Sequence, residues 1–152
     1  MSEVQLVERQ CGQCQACCRL FEITELDKPE RQTCAHQCKR GCAIYTERPQ
    51  RCASYRCRWL AGDPSLERRD RPDRLGVIFD KHSALGELLA DLDYVVAHEV
   101  QPGAFKTKRA ARWIKALGQD RIVVQVSFSG KRRVTGPPAL VAELDRRSAQ
   151  ER

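Results

Sequence analysis

The sequence predicts an α+β fold in two parts, because cysteines are confined to its beginning and regular apolar patterns follow them. All nine cysteines of the 152-residue chain lie between residues 11 and 57. From residue 75 onward, β-branched runs typical of strands alternate with helical apolar patterns. We therefore expect a cysteine-rich N-terminal lobe packed on a small antiparallel sheet with two helices.

The C-terminal half carries the patterns of four strands and two helices. Strands are predicted at residues 76–80, 94–100, 122–128 and 132–135. The helix predicted at 105–117 places Ala110, Trp113, Ile114 and Leu117 on one face, and Gly118 follows as a C-cap. Pro137 and Pro138 begin the last helix. Residues 84–92 fit either a helix or an arm of a hairpin.

Composition places the boundary between the two parts near residue 60. Residues 61–74 are rich in charge, glycine and proline and lack a periodic apolar face, which is typical of a connector. The predicted organisation is a lobe at 1–60, a connector at 61–74 and an α+β half at 75–152. With 152 residues, we expect the lobe and the half to form one compact unit.

The cysteines are spaced as groups, which read Cys11-x2-Cys14-x2-Cys17-Cys18, Cys34-x3-Cys38-x3-Cys42 and Cys52-x4-Cys57. A two-residue gap lets two thiolates turn back on one ion while the turn offers N–H groups to the sulfurs. Gly12 favours such a turn because it tolerates positive φ. The i, i+4, i+8 spacing of Cys34, Cys38 and Cys42 predicts one helix face, and Pro49 predicts the start of a helix.

Three interpretations of these cysteines compete: a metal or cluster site, a disulfide or redox framework, and ordinary buried cysteines. Disulfides usually come in even numbers in an oxidising compartment, whereas nine is odd and no leader pattern precedes the cysteines. Ordinary buried cysteines scatter and do not follow two-residue gaps. The spacing therefore favours a metal site in a cytoplasmic protein, and no apolar run suggests contact with a membrane.

The cysteine-rich segment needs support beyond its own apolar residues. Few large aliphatic side chains lie among its cysteines, so burial alone would not offset the chain entropy, whereas metal binding is coupled to folding. The net charge is +7. Basic residues that favour thiolates flank the cysteines: Arg9, Arg19, Lys39, Arg40, Arg51, Arg56 and Arg58.

The motif that begins Cys11-Gly12-x-Cys14-x2-Cys17-Cys18-Arg19 and continues with Cys42-x-Ile44-Tyr45-x2-Arg48-Pro49-x2-Cys52 and Cys57 resembles the CxxCxxCC cysteine-cluster family. These YkgJ-like proteins are described as zinc- or iron-chelating domains. The resemblance covers about residues 11 to 60. Residues 71–77 and the Glu99-x-x-Pro102-Gly103-Ala104 stretch are similar to members that share this C-terminal half.

The resemblance implies a set of eight metal ligands: Cys11, Cys14, Cys17, Cys18, Cys34, Cys42, Cys52 and Cys57. Cys38 has no counterpart in the family pattern. Eight thiolates can fill two zinc sites, or hold one [4Fe–4S] cluster with four cysteines left over. We prefer zinc to iron because the spacings match neither ferredoxin pattern. Adjacent Cys17 and Cys18 are expected to point in different directions.

Outside the cysteines, the chain offers weaker candidates. His36 lies among the cysteines and is expected in a surface or supporting role, His98 in a strand, and His82 in a charged loop. A basic helix face consists of Lys106, Lys108, Arg109, Arg112 and Lys115. That face is expected to be solvated, although it could bind nucleic acid or an acidic partner.

The leading interpretation is a metal-binding protein, with a protein partner possible and nucleic acid not favoured. Two alternatives stay open, an iron–sulfur protein serving a redox or protein-modification reaction and a zinc-stabilised nucleic-acid-binding module. Neither a catalytic constellation nor a phosphate loop is visible in the sequence, and Asp80, Glu87 and Glu99 form no recognisable acid–base pair. Whether the protein is an enzyme stays open.

Overall fold

A computed structural model describes residues 5–39, 41–81 and 85–152 of the chain. In these residues the α-helices and strands are β1 (Gln37–Cys38), β2 (Gly41–Cys42), α1 (Gln50–Ser54), α2 (Pro72–Leu75), β3 (Val77–Asp80), β4 (Tyr94–Glu99), α3 (Lys108–Leu117), β5 (Ile122–Val126), β6 (Arg132–Thr135) and α4 (Pro138–Gln150). Short 3₁₀ helices lie at Cys17–Arg19, Thr24–Leu26, Tyr45–Glu47, Arg68–Asp70, Gly86–Leu89 and Ala104–Lys106. The predicted α+β class is confirmed.

The main sheet has four strands in the order β3-β4-β5-β6, which is also their order along the chain. Its outer pairs, β3 with β4 and β5 with β6, are antiparallel, as the sequence predicts. The central pair of β4 and β5 is parallel, so the sheet is mostly rather than wholly antiparallel. Residues 100–121, which include α3, form the crossover that a parallel pair requires.

Helix α3 covers one face of the sheet, where the sequence pattern predicts an amphipathic helix. Thr107 caps the helix by accepting the N–H of Ala110 through its hydroxyl, at 3.2 Å. Ile114 and Leu117 are buried in the same apolar cluster as strand residues such as Val95. Gly118 is the C-cap, but its φ of −74° lies outside the left-handed region.

The other face of the sheet is divided between the cysteine-rich segment and α4. Ala16 and Leu20, which flank the first cysteines, are buried with Ile78 of β3. Farther along the sheet, Leu144 of α4 and Leu89 are buried with strand residues of β4 and β5. Leu89 belongs to a 3₁₀ helix, so the helical alternative predicted for residues 84–92 is correct within the described part, which excludes residue 84.

Strands β1 and β2 take the place of the helix predicted from the spacing of Cys34, Cys38 and Cys42. Strands β1 and β2 pair in antiparallel register, with Gln37 opposite Cys42 and Cys38 opposite Gly41. Gly41 has a φ of 124°, and a Cβ there would lie 3.1 Å from the carbonyl oxygen of Gly12. The tight approach of these two backbones selects the hairpin, so the three cysteines do not share a helix face.

Residues 61–74 link the two parts, and three of their side chains are buried: Leu66, Asp70 and Pro72. Leu66 packs with Trp59 and Ile78, and Asp70 is 1% exposed. The division into lobe, connector and half stays a prediction. None of the helices in the described ranges is long and apolar enough to cross a membrane.

Candidate metal centre

A cavity of about 780 Å³ lies inside the cysteine-rich segment. Seven of the eight predicted ligands line it: Cys11, Cys14, Cys17, Cys18, Cys34, Cys42 and Cys52. All seven are partly buried, and none forms a disulfide. Three sequence groups that span about 40 residues of chain are thus brought around one space.

The first group is shaped by a turn and a short helix. Gly12 has the positive φ that the sequence predicts, at 56°, and the N–H of Cys14 donates to the carbonyl of Cys11 at 2.9 Å. Cys17 and Cys18 then begin a 3₁₀ helix. The N–H of Cys34 donates to the carbonyl of Cys18 at 3.0 Å, which fixes the second group beside the first.

The remaining lining cysteines come from the hairpin and from α1. Cys42 lies in β2, and Gln15 donates to the carbonyl of Gly41 at 3.3 Å, so the hairpin is tied to the first group. Cys52 lies in α1, which follows Pro49 as predicted. Arg48 stacks on the ring of Tyr45 at 3.9 Å just before this helix.

Cys57, Cys38 and His36 are not among the residues that line the cavity. Cys57 is 7% exposed, packs with Trp59, and its sulfur accepts the N–H of Leu60 at 3.4 Å. Cys38 is exposed in the hairpin, and His36 is partly buried. Arg40 and His82 lie outside the described residues.

Adjacent Cys17 and Cys18 both line the cavity, and Cys17 also packs against the apolar cluster that contains Ala16 and Leu20. Their thiols share a hydrogen bond, which raises the pKa of Cys17 and lowers the pKa of Cys18 to about 7. The cations Lys28 and Arg19 also lower the pKa of Cys18. Cys18 is therefore the thiol of this pair that ionises first.

Burial raises the pKa of most of the other thiols in this segment. It is the main cause at Cys11, Cys14 and Cys52, and it raises the pKa of Cys57 to about 11. Neighbouring thiolates add to the effect, because like charges disfavour a second ionisation. These shifts through space show that the thiols lie close enough to interact electrostatically.

Cations surround the cavity and lower the pKa of its thiols, which opposes the rise caused by burial. Lys28 is 6% exposed and lines the cavity, and its ammonium group donates to the carbonyls of Phe21 and Pro29. Burial lowers the pKa of Lys28, whereas the charges of Cys34 and Cys18 raise it. Arg48, Arg56 and Arg71 lower the pKa of Cys11. A set of thiolates at this position would be partly neutralised by the protein.

The thiols that line the cavity suit a soft metal, but they lie too far apart to hold one ion. Cysteine thiolates are ligands for zinc, copper(I) and iron–sulfur clusters. Within residues 5–39, 41–81 and 85–152, no three His, Cys, Asp or Glu side chains converge closely enough to hold one ion. Binding would therefore require the sulfurs around the cavity to move inward.

Beside the cavity lies a buried polar network that the sequence patterns did not predict. Tyr55 donates its hydroxyl proton to Asp80 at 2.6 Å, and Nε2 of His98 lies 2.9 Å from the other oxygen of that carboxylate. Burial, followed by the charge of Asp80, raises the pKa of Tyr55, so the tyrosine stays protonated. The edge of His98 meets Phe21, which lines the cavity.

The pairing of Asp80 with His98 follows from the register of β3 and β4. Ile78 lies opposite His98, which makes Asp80 a diagonal neighbour of His98 on the same face. Asp80 and His98 both lie in predicted strands, but only the register of these strands shows that the two side chains are neighbours. His98 is thus a buried residue of the sheet, and it lies in a strand as predicted.

The basic face of α3 divides into paired and unpaired residues. Arg109 forms a bidentate ion pair with buried Asp70, so it belongs to the packing of the fold. Lys106, Lys108, Arg112 and Lys115 are exposed. Solvation of these four is in keeping with the expectation for this face.

The fold and cavity define an α+β protein with a thiol-lined site. No protein-family model matches this chain, and no curated protein or solved structure is significantly similar to it. The likeness to the CxxCxxCC cysteine-cluster family stays a prediction from the motif.

Proposed function

We propose that this chain is a cytoplasmic metal-binding protein whose clustered cysteines bind zinc, or alternatively iron as an iron–sulfur cluster. The observation that carries the proposal is the placement of seven of the eight predicted ligands around one cavity. Cys38, which the family motif does not include, is exposed and does not line that cavity. The eighth predicted ligand, Cys57, is buried outside the cavity lining.

The surroundings of the cavity support thiolate ligands. Lys28 is buried next to the cysteines, and three arginines act on Cys11. Cations in a partly buried site lower the cost of gathering several thiolates. A tetrathiolate zinc site carries two net negative charges, which these side chains would offset.

The local structure supports coupling between metal binding and folding. In the described part of the chain, the regular structure of the cysteine-rich segment consists of two-residue strands, 3₁₀ turns and the five-residue helix α1. Such elements hold little apolar surface and can adjust their positions at low cost. Metal binding would supply free energy that draws the thiolates together, as in other small domains with structural zinc.

The zinc and iron–sulfur alternatives differ in colour and in the metal and sulfide that the protein would contain. Zinc has a full d shell, so its thiolate sites are colourless, whereas iron–sulfur clusters are brown. The test is to purify the full chain without oxygen from iron-supplied cells and to measure zinc, iron, acid-labile sulfide and free thiols. The Cys38→Ser variant serves as the matched control, since we expect it to retain the metal.

We expect colourless protein with zinc near two equivalents per chain and few reactive thiols. Brown protein with equal iron and sulfide would select the iron–sulfur alternative and favour a redox or protein-modification role. Protein without stoichiometric metal, with thiols that all react freely, would refute the proposal.

A further inference from the structure

A second cavity, of about 510 Å³, lies between α1 and the end of β3. Four of the residues that line it are cations: Arg51, Arg56, Arg58 and Lys81. Its volume is within the range of small-molecule sites. Charges of one sign that line a concave site attract ligands of the opposite sign.

Among the described residues, three of these cations form no ion pair with a carboxylate. Arg58 forms an ion pair with Asp63. Arg56, by contrast, donates only to backbone carbonyls, at 3.2 Å, and Arg51 donates to the carbonyl of Glu22 at 3.4 Å. The ammonium group of Lys81 donates to the carbonyl of Tyr94. In the described part of the chain, no carboxylate lies within ion-pair distance of Arg51, Arg56 or Lys81.

The one carboxylate in the lining is already engaged. Asp80 is 6% exposed and accepts hydrogen bonds at both oxygens, one from Tyr55 and one shared with His98. These bonds hold the carboxylate in the wall of the cavity, on its buried side. The accessible side chains of the lining are therefore mainly basic, and an added anion would find donors without displacing an internal ion pair.

We propose that this second cavity binds a small ligand bearing an oxyanion, either a phosphate or a carboxylate, through Arg51, Arg56 and Lys81. Guanidinium groups present paired N–H donors that match both kinds of oxyanion, and a lysine adds a mobile point charge. Arg51, Tyr55 and Arg56 also line the thiol cavity. A bound ligand would thus lie across Tyr55 from the cysteines.

The test is equilibrium dialysis of the full chain at low ionic strength against labelled inorganic phosphate and, separately, labelled succinate. We expect one saturable site per chain. Loss of two charge-assisted contacts in the Arg56→Gln, Lys81→Gln variant is expected to weaken binding by about tenfold or more. The control is Lys108→Gln with Arg112→Gln, which removes the same charge from the exposed face of α3 and is expected to change affinity by less than about twofold.

Circular dichroism checks that each variant is folded, and Arg56→Gln alone gives a second measurement because Arg56 is exposed and bonds only to nearby carbonyls. Tighter binding of phosphate would assign the site to phosphorylated ligands, and tighter binding of succinate would assign it to carboxylates. No saturable binding of either anion, or equal weakening in the pocket and control variants, would overturn the proposal. Metal content is measured in every variant, so that loss of anion binding with the metal retained is distinguishable from failure of the proposed metal function.

Discussion

Asp70 is the polar side chain whose loss should most clearly weaken this fold. Its side chain is fully buried at the end of the connector and accepts four hydrogen bonds. Two come from the guanidinium group of Arg109, one from the indole of Trp113, and one from the backbone of Glu67. Asp70 thereby holds α3 against the turn that precedes α2, beside the wall of the thiol cavity.

The replacement Asp70→Asn keeps the size of this side chain and removes its charge. The amide retains one acceptor oxygen, but its NH₂ group faces donors that then have no acceptor. Breaking a buried ion pair by changing one partner costs about 3 to 5 kcal/mol. Arg109 remains 26% exposed and can turn toward water, so we expect the lower end, about 3 kcal/mol. For a domain of this size, that loss corresponds to a fall in Tm of about 6 to 12 °C.

The pH dependence of this effect has a definite sign. Burial alone would raise the pKa of Asp70, but the hydrogen bonds and charge of Arg109 outweigh it and hold the pKa below its ordinary value of 3.8. A carboxyl with a lowered folded pKa stabilises the protein above its unfolded pKa. The stability difference between wild type and variant should thus be constant near neutrality and shrink as pH falls below about 4.

Urea unfolding of both proteins, followed by far-ultraviolet circular dichroism, measures the free-energy difference. Asp120→Asn is the matched control, because Asp120 pairs with Arg121 at 2.8 Å but is 68% exposed. Its unfolding midpoint should match that of the wild type. An Asp70→Asn protein that unfolds at the wild-type urea concentration, or a control that is equally destabilised, would refute the assignment of Asp70 as a buried anchor.

Three further outcomes test the cysteine site and the basic helix. A strong chelator should expose thiols and reduce the circular dichroism of the cysteine-rich segment while the sheet signal persists, and unchanged thiol reactivity after verified metal removal would contradict this. Cys14→Ser and Cys52→Ser should each lower bound metal and soluble yield, whereas Cys38→Ser should not; equal metal loss in all three would show that the ligand set is wrong. Lys108→Glu with Arg112→Glu should leave nucleic-acid binding undetectable at physiological salt, as in the wild type, and steep salt-dependent binding lost in this variant would oppose a solvated face.

Local apolar periodicity was sufficient to predict where the helices and strands of the C-terminal half lie along the chain. The buried positions Ala110, Ile114 and Leu117 fall where the helical pattern places them, and the predicted strands differ from the observed ones by two residues or fewer at their ends. The parallel pairing of β4 and β5 was missed, although a helix between two strands is the pattern of such a crossover. Strand order depends on contacts between distant residues, which periodicity alone does not encode.

The pairing of β1 with β2 shows a different limit of prediction from sequence patterns. An i, i+4 spacing of cysteines is compatible with a helix, but it carries no information on the φ angle of Gly41. That angle is set by the approach of Gly41 to Gly12, a contact across 29 positions of chain. Where few apolar side chains direct packing, single backbone contacts decide the local structure, and the sequence pattern becomes a poor guide.

The adjacent pair of Cys17 and Cys18 shows why the motif predicted the members of the site better than their arrangement. The family resemblance implied the seven cysteines that line the cavity, but it did not fix how neighbouring cysteines are arranged. In the structure both thiols lie at the cavity and share a hydrogen bond, because the 3₁₀ turn and the contact between Cys34 and Cys18 orient this backbone. The shared bond makes one thiol readily ionised and the other resistant. Replacing each of the two cysteines in turn by serine would separate their contributions to metal binding.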